Sequence, residues 1–576
     1  MSTPALPPEG SAPARPPAPG LRQTMADLHT WVGLLLGWVL FAMFLTGTIA
    51  YFKDELSQWM RPELPMQASV PDPALVAQRM ADRFAKQIAG TSQWSIRLPD
   101  TRTNSVYAFW RAPRSASARR GFGEGNFDPM TGQELASRAT MGGDFFYRFH
   151  FQFHYMPALW GRWLAGLAAM FMLVAIISGV ITHKKIFVDF FTFRWGKGQR
   201  SWLDAHNALA VFGLPFHLMI TYTGLITLMA MYMPWGERQA IRTPAEKQQL
   251  TAQLSPFIQP GKASGEAAPL ASVDQMVRQA QARWGEDRIG RVTVTWPGDA
   301  ASRVAVARGE PGRASMSPQY LLFEGRSGKL LETHDRVGGA AETRGVLYAL
   351  HLGRFSDTTT RWLYFLVSLA GTAMVGTGLV LWTVTRRQKL PDPDRPPIGF
   401  RLVERLNIAS IAGLSIAMTV FLWANRLLPA SLGGRSDWEI HAFFIAWGLS
   451  LLHAIVRPAK RAWIEQLCLA AALLSLLPVL NAATTTRPLW RSLADGDWVF
   501  VGTDLMCVAL AALHAALAVR VIRHQPRHRP KRKDQRAVAG PAAEHEPTAG
   551  PPQGGHAPAW RDSTKFEGCT SEPDSA

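Results

Sequence analysis

The residues of this chain best suited to chemistry are histidines set inside long apolar runs. His206 and His217 stand eleven residues apart in DAHNALAVFGLPFHLMITYTGLITLM, so on a straight helix they share nearly one face, about 16 Å apart along the axis. Polar groups in hydrocarbon need partners, and two imidazoles aimed the same way imply more than an anchor. The chemistry this spacing suggests is one axial nitrogen for each of two haems.

Other histidines supply the opposing ligands. His29 opens the first apolar run at the same end as His206, so adjacent helices could present both to one iron. His183 ends the second run at this depth and is a rival ligand, although beside Lys184 and Lys185 it also reads as a plain cationic cap. At the other end, His150 and His154 lie four residues apart in RFHFQFHYMPALWGRW, and His351 precedes the fourth run.

Counting rise along straight helices puts His154 and His351 at least about 10 Å beyond His217. Either the chain folds back near Pro157 and 353–360 to lower them towards His217, or His154 and His351 pair with each other. Both arrangements stand, so the candidate ligands outnumber the four that two bis-histidine haems need. Arg148, Arg162, Arg344, Arg354 and Arg361 flank the outer histidines, either as interfacial anchors or as partners for haem propionates. Glycines 33, 37, 47, 166, 179, 213 and 224 would let helices or a flat macrocycle approach closely. His441, His453 and His514 are as consistent with packing or quinone contact as with a further haem, and Asp204 reads as a helix cap.

The elements that must position these residues are membrane spans. The chain has 576 residues, 47% hydrophobic, gathered into long runs between polar stretches, which indicates an integral membrane protein. Its three cysteines form no CxxC or CxxCH, which argues against thiolate metal sites and covalent haem attachment. Spans are expected at 28–50, 160–182, 204–229, 361–384, 405–428, 438–456, 464–480 and 500–521, each near the roughly 20 residues that cross a bilayer. The net charge of +18 follows the same plan: lysines and arginines after the second, fourth, sixth and eighth spans fall on one side, which places both termini in the cytoplasm of a bacterial cell with an inner membrane. Nucleic-acid binding has no further support, and the basic start of the tail suits anionic lipid instead.

Residues 1–21 and 522–576 read as disordered tails, 385–404 as a cytoplasmic linker and 405–521 as a separate block of four helices. The external segments 51–159 and 230–360 each show a helix, two strands and a strand closing on a Gly-containing turn, in NFDPMTGQEL and LLFEGRSGKLLE. The expected fold is therefore an all-α polytopic membrane protein of about eight spans carrying two small α+β external domains. Each domain is small for its own core, so packing together or onto the membrane part is expected.

The runs LHTWVGLLLGWVLFAMFLTGTI, FHYMPALWGRWLAGLAAMFMLVAIISGVITH, LDAHNALAVFGLPFHLMITYTGL and LHLGRFSDTTTRWLYFLVSLAGTAMVGTGLVLW, in this order, resemble the PepSY-associated transmembrane helix family. The likeness spans about residues 22–390, and NFDPMTGQEL resembles the end of a PepSY module. It implies a ferric-siderophore reductase in which haem b groups, two by the depth argument, carry electrons to periplasmic ferric iron. It further implies haem ligation at His29, His154, His206, His217 and His351, with His183 a further match; Arg162 and Arg354 are then the propionate candidates. No GxGxxG follows a strand, so the donor is expected to be a quinol or a separate protein. The competing readings are a non-enzymatic transport or regulatory protein with interaction domains, and a haem transporter or sensor.

Overall fold

The computed structural model describes residues 20–66, 71–111, 121–183, 196–255, 261–393 and 395–525, with isolated positions at 187, 190, 194 and 258. Most of the N-terminal tail, most of the basic connection after residue 183 and the tail after 525 lie outside the described residues.

In chain order the helices that matter here are α1 (Leu21–Leu35), α2 (Gly37–Ala50), α3 (Lys53–Trp59), α4 (Pro73–Gln87), α5 (Asp144–Gln152), α6 (Ala158–Thr182), α7 (Gln199–Phe212) and α8 (Leu214–Thr227). They continue with α9 (Val273–Trp284), α10 (Gly339–Leu352), α11 (Thr358–Arg387), α12 (Ile398–Leu427), α13 (Arg435–Val456), α14 (Ala459–Thr484) and α15 (Trp498–Arg523). Among the described residues, α6 and α11 to α15 are six helices long and apolar enough to cross a membrane. The pairs α1–α2 and α7–α8 raise the number to eight if each is one bent span. The protein is a polytopic, mostly helical membrane protein.

Both bends matter for the site. Gly213 caps α7 and Pro215 sits in the first turn of α8, where its missing N–H leaves no helical bond unmade. The axis turns by 68° there, so the straight-helix spacing of His206 and His217 does not apply. The first span divides at Leu36 with a 66° turn that the unbroken apolar run did not announce.

Two short helices fold back beside the spans they precede. α5 packs on α2 and α6, and α10 packs on α8. The return from α5 to α6 passes through Phe153 and Tyr155, both left-handed at φ of 55° and 56°, a conformation that costs about 1–3 kcal/mol for each such residue. Gly161 lies directly against the Gln152 backbone, where a Cβ would collide with it. α10 ends on Gly353 at φ 61°, the usual glycine stop.

The two external segments build one seven-stranded antiparallel sheet in place of two separate ones. Its strands are β1 (Gln93–Arg97), β2 (Val106–Arg111), β3 (Phe122–Phe127), β4 (Ile289–Thr295), β5 (Arg303–Arg308), β6 (Tyr320–Glu324) and β7 (Leu330–His334), in the order β3-β2-β1-β4-β5-β6-β7. The seam is β1 against β4, with Ser95 opposite Thr293. Trp94, Ile96, Val292 and Val294 alternate onto one face, where α4 and α9 bring Met80, Phe84, Met276 and Val277 into the same core. Neither half closes this core alone, which is why the two associate.

Residues 398–523 are not a detached block. Phe421, Phe443, Leu477 and Phe500 share a core with Trp59 of α3 and with Phe145, Phe146 and Phe149 of α5. A buried polar network reinforces the joint. Arg435 and Glu439, both with fully buried side chains, pair one turn apart on α13; Thr140 donates to Glu439, and Asn425 Nδ2 donates to it at 2.8 Å. Trp59 donates to Asp504 at 3.1 Å, and the Arg426 guanidinium lies 3.7 Å from the centre of the Trp59 ring.

Glu439→Ala strands the Arg435 guanidinium in an apolar interior and is expected to destabilise the protein by about 3–5 kcal/mol. Unfolding of the purified variant in detergent checks this, and a wild-type melting curve would contradict the network's role.

Candidate functional site

Four histidines form two facing pairs. His29 of α1 and His206 of α7 have ring centres 6.1 Å apart and planes 66° apart. His150 of α5 and His351 of α10 have ring centres 6.1 Å apart and planes 33° apart. The His150–His351 pair lies on the two fold-back helices, in a cavity that Arg102 of the β1–β2 connection also lines; no residue of the sheet or its connections lines the cavity of the other pair among the described residues. A chain that folds back before α6 and α11 thus lowers a histidine pair into the membrane part, but the pair includes His150.

Each imidazole is seated in the same way. His29 Nδ1 donates to the Ala175 carbonyl at 2.8 Å, His206 Nδ1 to Met374 at 2.9 Å, His150 Nδ1 to Met43 at 2.7 Å and His351 Nδ1 to Ile220 at 3.0 Å. Four residues beyond each carbonyl stands a glycine: Gly179, Gly378, Gly47 and Gly224. A Cβ there would come within 3.1 Å of the His29 and His206 rings and within 2.8 Å of the His150 and His351 rings. A carbonyl inside a helix already accepts the N–H four residues on; with no side chain at that residue, an imidazole can reach its second lone pair. The bond puts the proton on Nδ1 and leaves Nε2 as a lone-pair ligand.

The separation fits a shared metal. A bond of about 2 Å from metal to each imidazole nitrogen, plus roughly 1 Å from nitrogen to ring centre, places two opposed rings about 6 Å apart. Among the described residues no group of three or more His, Cys, Asp or Glu side chains is arranged to hold a metal. Each pair offers two imidazoles, the donor set by which a protein can hold a haem iron.

Each pair lines a cavity. The sheet-distal cavity, of about 370 Å³, has apolar walls that include Leu40, Met172 and Val375, with His183 and Arg386 also on its lining. The sheet-proximal cavity is narrower, about 130 Å³, and its lining carries Lys53, Asp54, Arg102, Tyr147 and Arg354. Leu40 and Met172 border both. Apolar walls, opposed imidazoles and cationic side chains together match an amphipathic macrocycle with carboxylate arms.

The charged lining is tied to the sheet. Arg102, on the β1–β2 connection, makes a two-pronged bond to Glu55 at 2.7 and 2.9 Å and another to the Tyr51 carbonyl. Arg354 pairs with Glu310 of the β5–β6 connection at 2.9 and 3.1 Å. Burial pushes the Asp54 carboxyl up, but Lys53, Arg97 and Arg102 outweigh it and hold it at about 2.

The remaining sequence candidates sit elsewhere. His154 does not face His351: its ring stacks on Phe444 at 5.7 Å and meets Tyr155 edge-on at 4.5 Å. The left-handed Phe153 ends α5 before His154, so the four-residue face relation with His150 does not hold. Arg162 donates to Gln152 and lies over Phe151, and does not line either cavity; Arg354 does line one. His183 caps α6 at the sheet-distal cavity. His217 is buried but belongs to neither pair. Gly378, Lys53 and Arg102 are the site residues that sequence reasoning missed. A glycine four residues after an apolar helical residue is too common to have marked the first, and the other two reach the site only through the fold.

A family model described as the PepSY-associated TM region matches residues 26–384. An uncharacterized protein of Pseudomonas aeruginosa is 26% identical over 379 residues, covering 62% of this chain and 91% of that relative. The region matched by the family model contains all four paired histidines and stops short of α12.

Gly224→Leu and Gly378→Leu each drive a side chain into one seated imidazole and, if each pair holds a haem, should reduce haem per chain by about half. Gly448→Leu, at a helical position where a Cβ meets nothing within 4 Å, should leave it unchanged. Haem quantification on monodisperse protein makes the comparison.

Proposed function

Because this chain belongs to the PepSY-associated transmembrane family and carries two pairs of opposed, identically seated imidazoles, we propose that it is a di-haem b reductase that passes electrons across a bacterial inner membrane to ferric iron in a chelate, of the siderophore class. The pairing carries the reading: two stacked sites, each able to grip a metal from both faces, at different depths of one helical bundle. A haem b held by each histidine pair would supply one-electron cycling between ferric and ferrous iron.

The residues of the chain have separate tasks. His29 and His206 hold the sheet-distal group, and His150 and His351 the sheet-proximal one. The carbonyls of Ala175, Met374, Met43 and Ile220 orient the four rings and raise their basicity as ligands. Lys53, Arg102 and Arg354, which also pair with Asp54, Glu55 and Glu310, supply positive charge that would attract carboxylates at the sheet-proximal site. Arg386, 4.0 Å over the Trp382 ring, does the same at the distal one. Leu40 and Met172 keep water from the gap between the sites. With the cationic connections in the cytoplasm, the sheet is periplasmic and borders the site nearest the substrate. The ferric ion is substrate here: held by hard oxygen donors, it is released more readily once reduced. A quinol or a separate protein supplies electrons from the other side.

Pre-reduced purified protein should be reoxidised on addition of a ferric hydroxamate or catecholate; failure with every ferric chelate tried would remove the assigned reaction. His150→Ala should lose about half of the reduced-minus-oxidised b-type amplitude, and His154→Ala should lose none. The opposite result would return His154 to the ligand set.

A further inference from the structure

His217 has a seat like those of the paired histidines, but no histidine opposite it. Its ring lies against the Val367 carbonyl of α11, and the glycine four residues on is Gly371, where a Cβ would come within 2.8 Å of Nε2. The seat is used in reverse. Here Nε2 approaches the carbonyl, at 3.4 Å, while Nδ1 is buried with no hydrogen-bond partner among the described residues. A carbonyl only accepts, so Nε2 carries the proton and Nδ1 keeps its lone pair. The side chain is 1% exposed and lines the sheet-distal cavity.

On its other side stands Phe44, which lines the sheet-proximal cavity; the two rings meet edge to face at 6.2 Å and 84°. His217 thus lies between Phe44 and the sheet-distal cavity, with an Nδ1 lone pair that no described group satisfies. In a water-poor interior such a dipole acts strongly on a nearby centre whose charge changes. An acceptor lone pair favours the more positive, oxidised state.

Resting on the di-haem reading above, we propose that His217 is not an axial ligand but lowers the reduction potential of the sheet-distal haem relative to the sheet-proximal one. Electron flow towards the sheet is then downhill. This adds to the asymmetry of the linings, charged at the sheet-proximal site and mostly apolar at the sheet-distal one.

Redox potentiometry of full-length protein tests this, with His206→Ala identifying the distal wave by its loss. His217→Leu should keep two haems per chain and the bis-histidine spectrum. Its distal wave should rise by about tenfold in the reduction equilibrium, which is roughly 59 mV for one electron. His217→Gln, whose amide oxygen restores an acceptor, should recover part of the shift. Loss of a haem from both variants would make His217 a ligand and overturn the inference. Two retained haems with unmoved waves would overturn it too, leaving the di-haem reading intact. Haem-free wild-type protein from haem-replete cells would remove both.

Discussion

A helical carbonyl that accepts a second hydrogen bond is the interaction on which this molecule's site depends. The bond is geometrically open because the residue four positions on is glycine, and an imidazole occupies the space where a side chain would stand. It settles three things at once for each ring: its position, the nitrogen that carries the proton and the direction in which the other nitrogen points. Every such bond joins two different helices, so the seats also tie α1 to α6, α7 to α11, α5 to α2 and α10 to α8.

That requirement explains departures from regular geometry elsewhere. The bends between α1 and α2 and between α7 and α8, and the fold-back of α5 and α10, bring helices from distant parts of the sequence together so that the imidazoles face in pairs. Left-handed Phe153 and Tyr155 are unfavourable locally and persist because the aromatic packing of α5 against Phe421 and Phe443 over-determines the turn. The C-terminal helices, outside the region the family model matches, therefore act on the site through the helix that bears His150. The single sheet does comparable work from the other side. One connection from each half meets the charged lining of the sheet-proximal cavity, through Arg102 to Glu55 and through Glu310 to Arg354.

Much of this was legible from residue patterns. Eight apolar runs with cationic connections marked the spans, because hydrophobic length and charge placement are one-dimensional signals. One helix and the first two strands of each external segment were readable within a few residues, since amphipathic period and turn glycines are local, but the fold-back helices that carry His150 and His351 were not. His206 and His217 stood out because ionisable residues at membrane depth are costly, and His29 and His351 because they flank apolar runs at the two ends. The choice between His150 and His154 was not readable: it turns on the φ of one non-glycine residue, which nothing in FHFQFHYMP specifies. Nor was the joining of two external segments into one sheet, since strand pairing between residues 93–97 and 291–295 is a long-range contact.

The sequence by itself determined that this is a membrane protein, where its long apolar helices lie and which ionisable residues they carry. Those properties follow from the free energy of placing each side chain in water or hydrocarbon, which is additive along the chain to a first approximation. The tertiary structure decided which histidine faces which, which nitrogen is left free and why His217 stands apart. Those depend on the relative placement of helices to within about an ångström, set by many weak contacts together and by none alone.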